Sequence, residues 1–181
     1  MRKAVNVGII TGIFLSVFLI AGTYLMTTVQ FKTIPVKLMV IPVVVSLATI
    51  ALLIAMKQYN RNSEHAGWKK YMLTGSIATL TTAAIFSAAS YVHTRFIDRG
   101  YLSQLLERSK HTFVQQNSSN QSIAGQGADW FKTPFNFALN NFTMMLIVLF
   151  IITILVSSIY HTVRKNRLHR LKYNSNPELI Y

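Results

Sequence analysis

The chain contains no cysteine and only five acidic residues among its 181 residues. The absence of cysteine excludes disulfides, thiolate metal sites, a cysteine nucleophile and a lipoprotein attachment point. Against the five acids stand 18 Lys and Arg residues, and the formal net charge is +13. In a soluble protein such a charge would raise the question of nucleic-acid binding. Only 13% of the residues are charged, however, whereas a soluble domain has about 25%.

Charge is missing altogether from four long hydrophobic runs, which cover residues 4–31, 38–56, 71–94 and 141–163. A hydrocarbon core of about 30 Å requires about 20 helical residues, and each run is close to that length or longer. The first run is too long for the hydrophobic part of a signal peptide, so we expect it to remain as a span. The sequence predicts an all-α integral membrane protein, with residues 1–181 forming a single four-transmembrane-helix bundle.

The basic residues between the spans predict the orientation of the bundle. Eleven of the 18 Lys and Arg residues flank the spans on the side of the two termini, and seven lie on the opposite side. Because cytoplasmic loops of membrane proteins carry the excess of basic residues, we expect both termini to be cytoplasmic. The outer loop would then be residues 95–133, and residues 164–181 would form a basic cytoplasmic tail.

Small residues indicate where the helices pack. They recur at intervals of four in the first run, and the third run is rich in Gly, Ala, Ser and Thr, which favours a central position for that helix. The predicted helix-packing residues are Gly8, Gly12, Ser16, Gly75, Ala84 and Ala88. The aliphatic second and fourth runs, with Leu52 among their residues, are predicted to face lipid. Close packing is the preferred interpretation of the hydroxyl groups in the third run, and a polar pathway is the alternative.

No Asp, Glu, Lys or Arg lies within any of the four runs. Ionisable groups at membrane depth mark many proton-coupled transporters, and intramembrane aspartyl proteases need two buried aspartates. The histidines offer no metal-binding spacing, and His93 and His161 are predicted at opposite faces of the membrane. The sequence therefore predicts no catalytic residue, no metal site and no cofactor.

The segments outside the predicted spans differ in character. Residues 95–113 have the spacing of an amphipathic helix interrupted near Gly100, and residues 115–127 have the composition of a flexible linker. Basic residues at the cytoplasmic face are predicted to contact anionic lipid headgroups. They are Lys69, Lys70, Arg164, Lys165, Arg167, Arg170 and Lys172. For residues 164–172 an acidic protein partner is the alternative, and nucleic acid is not expected.

One local pattern carries a family resemblance. After a short first hairpin, Lys57-Gln58-Tyr59 precedes a hydrophilic turn, and Gly67-Trp68-Lys69-Lys70-Tyr71 opens the third run, which contains Gly75. This order resembles domain of unknown function 4199, a family of small four-helix membrane proteins known mainly from Bacteroidetes. The resemblance implies a bacterial inner-membrane location and carries no activity. The chain departs from the family pattern in its Gln/Asn/Ser-rich outer loop and its long basic tail.

Three functional hypotheses remain open at this point. The leading one is a non-enzymatic accessory or scaffold subunit of an inner-membrane assembly, whose partners are lipids and other membrane subunits or a second copy. The second is a small oligomeric transporter or channel whose pathway follows the hydroxyl-rich third helix. The third is a lipid-handling enzyme, whose carboxylate and base would have to come from Asp98, Glu107 or Asp129 and from His93 or His111.

Overall fold

The computed structural model describes residues 2–28, 34–60, 67–104, 107 and 133–175. This part of the chain is helical and contains no β-strand. Its long helices are α1 (Arg2–Thr28), α2 (Ile34–Asn60), α3 (Trp68–Val92) and α4 (Pro134–Ser175). Three of them are long and apolar enough to cross a membrane, over Arg2–Tyr24, Trp68–Ile97 and Pro134–Arg167, and a shorter apolar stretch covers Val45–Tyr59 of α2. The predicted class, a helical membrane protein, is thus confirmed, with three candidate spans in the described part of the chain.

The fourth helix begins seven residues earlier than the hydrophobic run predicts, because its start is set by a cap. The backbone N–H of Asn136 donates to the Thr133 hydroxyl at 3.2 Å, which is the contact of an N-cap residue. Pro134 occupies the first helical position, where a missing N–H costs nothing. At the other end, α4 continues through the basic residues to Ser175.

The third helix ends in a π-helical turn over His93–Ile97. The Asp98 N–H donates to the His93 carbonyl at 2.8 Å, and the Asp98 carboxylate accepts the Gly100 N–H at 3.1 Å. Helical structure resumes over residues 101–104, so the chain is interrupted near Gly100 as the sequence predicts. Most of the predicted outer loop, including the linker at 115–127, lies outside the described residues, as does the end of the tail at 176–181.

The chain divides into two compact units. The first comprises Met1–Thr82 and Ile147–Tyr181, and the second comprises Ala83–Leu146. In the first unit α1 packs against α2. Gly8 lies against Thr74 while Gly12 lies against Ala78, so α1 and α3 run in the same direction.

Helix α4 runs opposite to α3 in the first unit. The Trp68 indole N–H lies 3.4 Å from the Ser158 hydroxyl, whereas Gly75, two turns further along α3, contacts Thr153, which precedes Ser158 in α4. The start of α3, the end of α2 and the C-terminal part of α4 therefore meet at one end of this unit.

The lipid-facing prediction for the second run is wrong for Leu52, which is only 1% exposed. One side of α2 is buried, with Ala48, Leu52, Ala55, Met56 and Tyr59. The opposite side is exposed, with Ile50 and Ile54. Hydropathy could not distinguish the two sides, because lipid and protein interior are equally apolar. The same holds for α4, where Leu149, Ile152 and Val156 are buried although Ile151 and Leu155 are exposed.

The second unit contains the distal part of α3, the π-helical turn and the start of α4. The Ser87 hydroxyl donates to the Ala138 carbonyl at 2.7 Å. The Tyr101 ring packs edge-to-face against His93, with ring centroids 5.6 Å apart, and against Phe137 at 6.1 Å. The residues after the interruption thus fold back on the helices that they connect.

Candidate functional site

Two glycines bring the backbone of α1 into direct contact with α3. A methyl group added to Gly8 would lie 2.8 Å from the Thr74 carbonyl oxygen, and one added to Gly12 would lie 2.7 Å from the Ala78 carbonyl oxygen. The Thr82 hydroxyl lies 3.1 Å from the Gly12 carbonyl and 2.8 Å from the Ala78 carbonyl. Small residues one turn apart allow this approach, which is how membrane helices gain van der Waals contact.

A third glycine forms the contact between α3 and α4. A methyl group on Gly75 would lie 2.4 Å from Cγ2 of Thr153, so the threonine side chain fills the space that the glycine leaves. The hydroxyls of Thr79 and Thr153 are hydrogen-bonded at 3.0 Å. Both threonines are buried. We call the contacts of Gly8, Gly12 and Gly75 the glycine seam of the first unit.

The remaining buried hydroxyls of this unit mostly bond to their own helix. Thr74 donates to the Lys70 carbonyl at 3.0 Å, and Ser16 donates to the Ile13 carbonyl at 2.7 Å. Ser157 is the exception: its hydroxyl is buried and has no partner within the part of the chain that the structure describes. The bonds of Thr74 and Ser16 satisfy these hydroxyl groups within their own helices, so that they present little polar surface to other groups.

Four of the six predicted packing residues are buried in the structure, and two are exposed. Gly8, Gly12, Gly75 and Ser16 are buried in the first unit. Ala84 and Ala88 are exposed, and here the prediction is wrong for contacts among the described residues. Ala83 is buried instead, at 0% exposure. Neighbouring helical residues point about 100° apart, and a run of adjacent alanines gives no sign of which one faces inward.

An aromatic cluster joins three helices at the end of the first unit where α3 begins. Tyr71, from α3, is fully buried, and its ring packs edge-to-face against Tyr160 of α4 at 5.1 Å and against Tyr59 of α2 at 6.5 Å. The Arg164 guanidinium donates through Nη1 to the Tyr71 hydroxyl at 2.5 Å. We call these four residues the tyrosine–arginine cluster. It connects the helices where apolar packing gives way to charged residues.

Among the predicted headgroup residues whose side chains the structure describes, Arg164 therefore differs from the others. It is half-buried and donates a hydrogen bond within the protein. The exposed members are Lys69, Lys70, Lys165 and Arg167. Arg170 and Lys172 belong to α4, but their side chains lie outside the described residues.

Sequence reasoning missed both Thr153 and the three tyrosines. A signal for the first was present, because Thr153 and Ser157 are spaced by four residues and interrupt an otherwise aliphatic run. The tyrosines lie near helix ends, where aromatic residues are usually explained by the membrane interface. Nothing in their spacing distinguishes an interfacial tyrosine from a fully buried one such as Tyr71.

Of the residues considered for catalysis, Asp98 and His93 make contacts within the second unit, Glu107 is exposed, and two lie outside the described part. The Asp98 carboxylate accepts a backbone N–H in the turn after α3, and His93 packs against Tyr101. Glu107 is exposed, whereas His111 and Asp129 fall outside the described residues. Within the described ranges no three His, Asp or Glu residues are grouped as a metal site would require.

A family model described as "Protein of unknown function (DUF4199)" matches residues 6–162. The chain belongs to this family. The predicted family is thus confirmed, and the matched segment contains all three glycines of the seam and all three tyrosines of the cluster. It ends two residues before Arg164, the first residue of the basic segment. Searches of curated proteins and of solved structures found no match to the chain.

Proposed function

We propose that this DUF4199 protein is a non-enzymatic accessory or scaffold subunit of a bacterial inner-membrane assembly. In this proposal the chain crosses the membrane four times and both termini are cytoplasmic. Helix α2 has 27 residues, which corresponds to about 40 Å of helix and is sufficient for a fourth span. The parallel course of α1 and α3 and the antiparallel course of α3 and α4 support the alternation of direction that four spans require.

The observation that carries the proposal is that the buried hydroxyl groups of α3 are hydrogen-bonded within the protein. Thr74, Thr79 and Thr82 are buried, and each bonds to its own helix or to a neighbouring one. A hydrophilic pathway would need such groups to face water or a solute. Their bonds, together with the contacts at the glycines, support a role of α3 in holding the helices together.

The outer surfaces of the helices support assembly with lipids or partner helices. Large apolar residues with more than half of their surface exposed occur on α1, α2, α3 and α4. They include Ile10, Phe14, Ile54, Leu80, Leu155 and Ile159. Such a surface is solvated by lipid chains, and helices of other subunits associate with it through van der Waals packing.

A transporter or channel formed by several copies is the alternative. The observation in its favour is Ser157, a buried hydroxyl that finds no partner among the described residues, one turn from Thr153. A pathway would then have to pass between copies or open by separation of α3 from α4.

The experiment that decides between the two functions replaces Thr79, Thr82 and Ser87 by Ala. Interhelical hydrogen bonds in membranes contribute under about 1 kcal/mol each, so the variant should insert and fold. Gentle extraction from the native membrane should then yield the same stoichiometric membrane-protein partner for the variant and the wild type. A matched control replaces the exposed hydroxyls of Thr23, Thr143 and Thr162 by Ala.

Flux measurements provide the contradicting outcome. The purified wild-type protein, reconstituted alone into liposomes, should carry no ion or small solute above the background of empty liposomes. Flux that the triple substitution removes and the control retains would overturn the scaffold proposal in favour of the transporter.

A further inference from the structure

Helix α4 continues to Ser175, well beyond Tyr160 and Arg164, whose side chains contact Tyr71 in the first unit. We call residues 164–175 the basic extension. Twelve helical residues correspond to about 18 Å, and the complete α4 of 42 residues to about 63 Å. A bilayer with its headgroups measures about 40–45 Å. A helix of this length cannot be contained in the membrane unless it is steeply tilted.

The start of the basic extension is held by the tyrosine–arginine cluster. Arg164 donates to the buried Tyr71, and Tyr160, one turn earlier, packs against the same ring. Ser158 accepts the Trp68 indole N–H. These contacts attach α4 to the beginning of α3 directly before the extension. The direction of the extension is therefore set by the packed helices.

Helix α4, as the structure describes it, contains no feature that would kink it between Arg164 and Ser175. Sharp kinks in helices occur at proline, at glycine or at π-bulges, and no Pro or Gly lies between residues 135 and 175. Helix α4 continues without interruption as one α-helix up to Ser175. An amphipathic segment that lies on a bilayer would need a bend after the span. The continuity of α4 thus favours an extension that projects away from the headgroups.

The charge of the basic extension determines what it can bind. It contains five Lys and Arg residues and no acid, and Leu168 and Leu171 follow Arg164 at four and seven residues. In the sequence, these two leucines separate the basic residues of the extension from one another. Attraction to anionic lipid falls off within a Debye length of about 10 Å at 0.1 M salt, so the outer turns of a projecting helix gain little from headgroups.

We propose that residues 164–175 form a rigid docking helix that binds an acidic segment of a cytoplasmic protein. The occupant is an Asp- and Glu-rich surface, complementary in charge to the five basic residues of the extension. The proposal rests on the proposed cytoplasmic location of the C-terminal end. Because the family match ends at residue 162, the docking helix is a feature of this chain outside the matched segment.

The geometry is tested by spin labels at single cysteines introduced at 166, 169, 173 and 174 in the full chain, which has no native cysteine. The probe is the protein in nanodiscs that contain phosphatidylglycerol. Accessibility to a water-soluble relaxation agent should increase steadily toward position 174. An oxygen accessibility that oscillates with the helical period of about 3.6 residues would show that the helix lies on the bilayer, and would overturn the proposal.

The partner is tested by photo-crosslinking from positions 166 and 174 in the native host. The crosslinked peptide should come from a protein segment rich in Asp and Glu. Arg170→Glu with Lys172→Glu should lower the crosslinking yield about tenfold, because close charge pairs across an interface are strongly coupled. Lys69→Glu with Lys70→Glu, at the start of α3, is the matched control and should leave the yield within about twofold of wild type.

Two outcomes of the crosslinking experiment contradict the docking helix, in addition to the spin-label outcome above, and a labelling outcome contradicts its premise. Crosslinks to lipid alone, or a yield that the charge reversal does not change, would overturn the docking proposal. Labelling of a cysteine at 174 by an impermeant reagent in intact cells would overturn the cytoplasmic location and, with it, the proposed topology. The spin-label result does not depend on which side of the membrane the extension occupies, so the two failures can be distinguished.

Discussion

At the scale of single residues, three glycines determine how closely the helices of the first unit approach. Each has a heavy atom of another helix within 3.0 Å of the position that a Cβ would occupy. Gly22, in the same α1, has nothing within 4 Å. Glycine is costly inside a helix, because it loses more backbone freedom on folding than alanine does. The close contacts account for its use at positions 8, 12 and 75.

Gly8→Ala or Gly12→Ala should therefore weaken the contact between α1 and α3. We expect a loss of about 1–3 kcal/mol in the free energy of unfolding, because the added methyl meets a backbone carbonyl that cannot move aside. Steric trapping or thermal unfolding in detergent measures the effect. Gly22→Ala is the matched control and should be neutral or slightly stabilising. Equal behaviour of the three variants would show that the glycines do not serve close packing.

Gly75→Ala should be destabilising by a similar amount, but a second substitution should relieve it. Thr153→Ser removes Cγ2, the atom 2.4 Å from the added methyl, and retains the hydroxyl that bonds to Thr79. The double variant Gly75→Ala/Thr153→Ser should be more stable than the sum of the single effects predicts, with a coupling of about 0.5–3 kcal/mol. Additive losses in the same unfolding assay would contradict the contact.

At the scale of secondary structure, each helix has a different reason for its bounds and its orientation. α4 begins at a capping threonine followed by proline, a signal that is readable in the sequence. α3 ends where a π-helical turn and an aspartate side chain interrupt the backbone bonds. For α2 the sequence shows the helix but not its buried side, because both sides are aliphatic.

The tyrosine–arginine cluster is a contact between elements, and its strength can be measured by a double-mutant cycle. Arg164→Met and Tyr71→Phe each remove one partner of the same hydrogen bond. We expect each to cost about 1 kcal/mol or less, since Arg164 is only half-buried and a partly solvated charge is screened. In the Tyr71→Phe background Arg164→Met should cost little more.

The control for this cycle is Arg167→Met, because Arg167 is exposed one turn further along α4. Its effect should be the same in the presence and absence of the Tyr71 hydroxyl. A loss of stability for Arg164→Met that is unchanged in the Tyr71→Phe background would show that the two side chains act independently.

At the scale of the whole molecule, the proposed topology makes a direct prediction for labelling in cells. Ser103 is exposed after the interruption that follows α3, and Asn166 is exposed in the basic extension. In the cysteine-free chain, Ser103→Cys should react with an impermeant maleimide in intact cells whose outer membrane is permeabilised. Asn166→Cys should react only after lysis. The reverse pattern, or reaction of both positions in intact cells, would contradict cytoplasmic termini.

The class of the protein, its helices and its family were predictable from the amino-acid pattern alone. Uncharged runs of sufficient length predict helices that cross a membrane. The lipid offers no hydrogen-bond partner, so the backbone N–H and C=O groups of such a run bond within a helix. The Gly8, Gly12 and Gly75 positions were also readable as packing residues, because small residues in a span have few other uses. The bounds of α2 and α4 were underestimated where polar residues continue the helix.

Which sides of the helices meet could not be predicted in this way and is known from the folded structure. Leu52 is buried whereas Ile54 is exposed, and Ala83 is buried whereas Ala84 is exposed, although each pair has the same apolar character. The burial of Tyr71 and its bond from Arg164 likewise depend on three helices that are distant in the sequence. Lipid and protein interior are similarly apolar. Hydropathy therefore shows that a helix lies in the membrane, whereas side-chain shape and a few hydrogen bonds determine which of its sides contacts another helix.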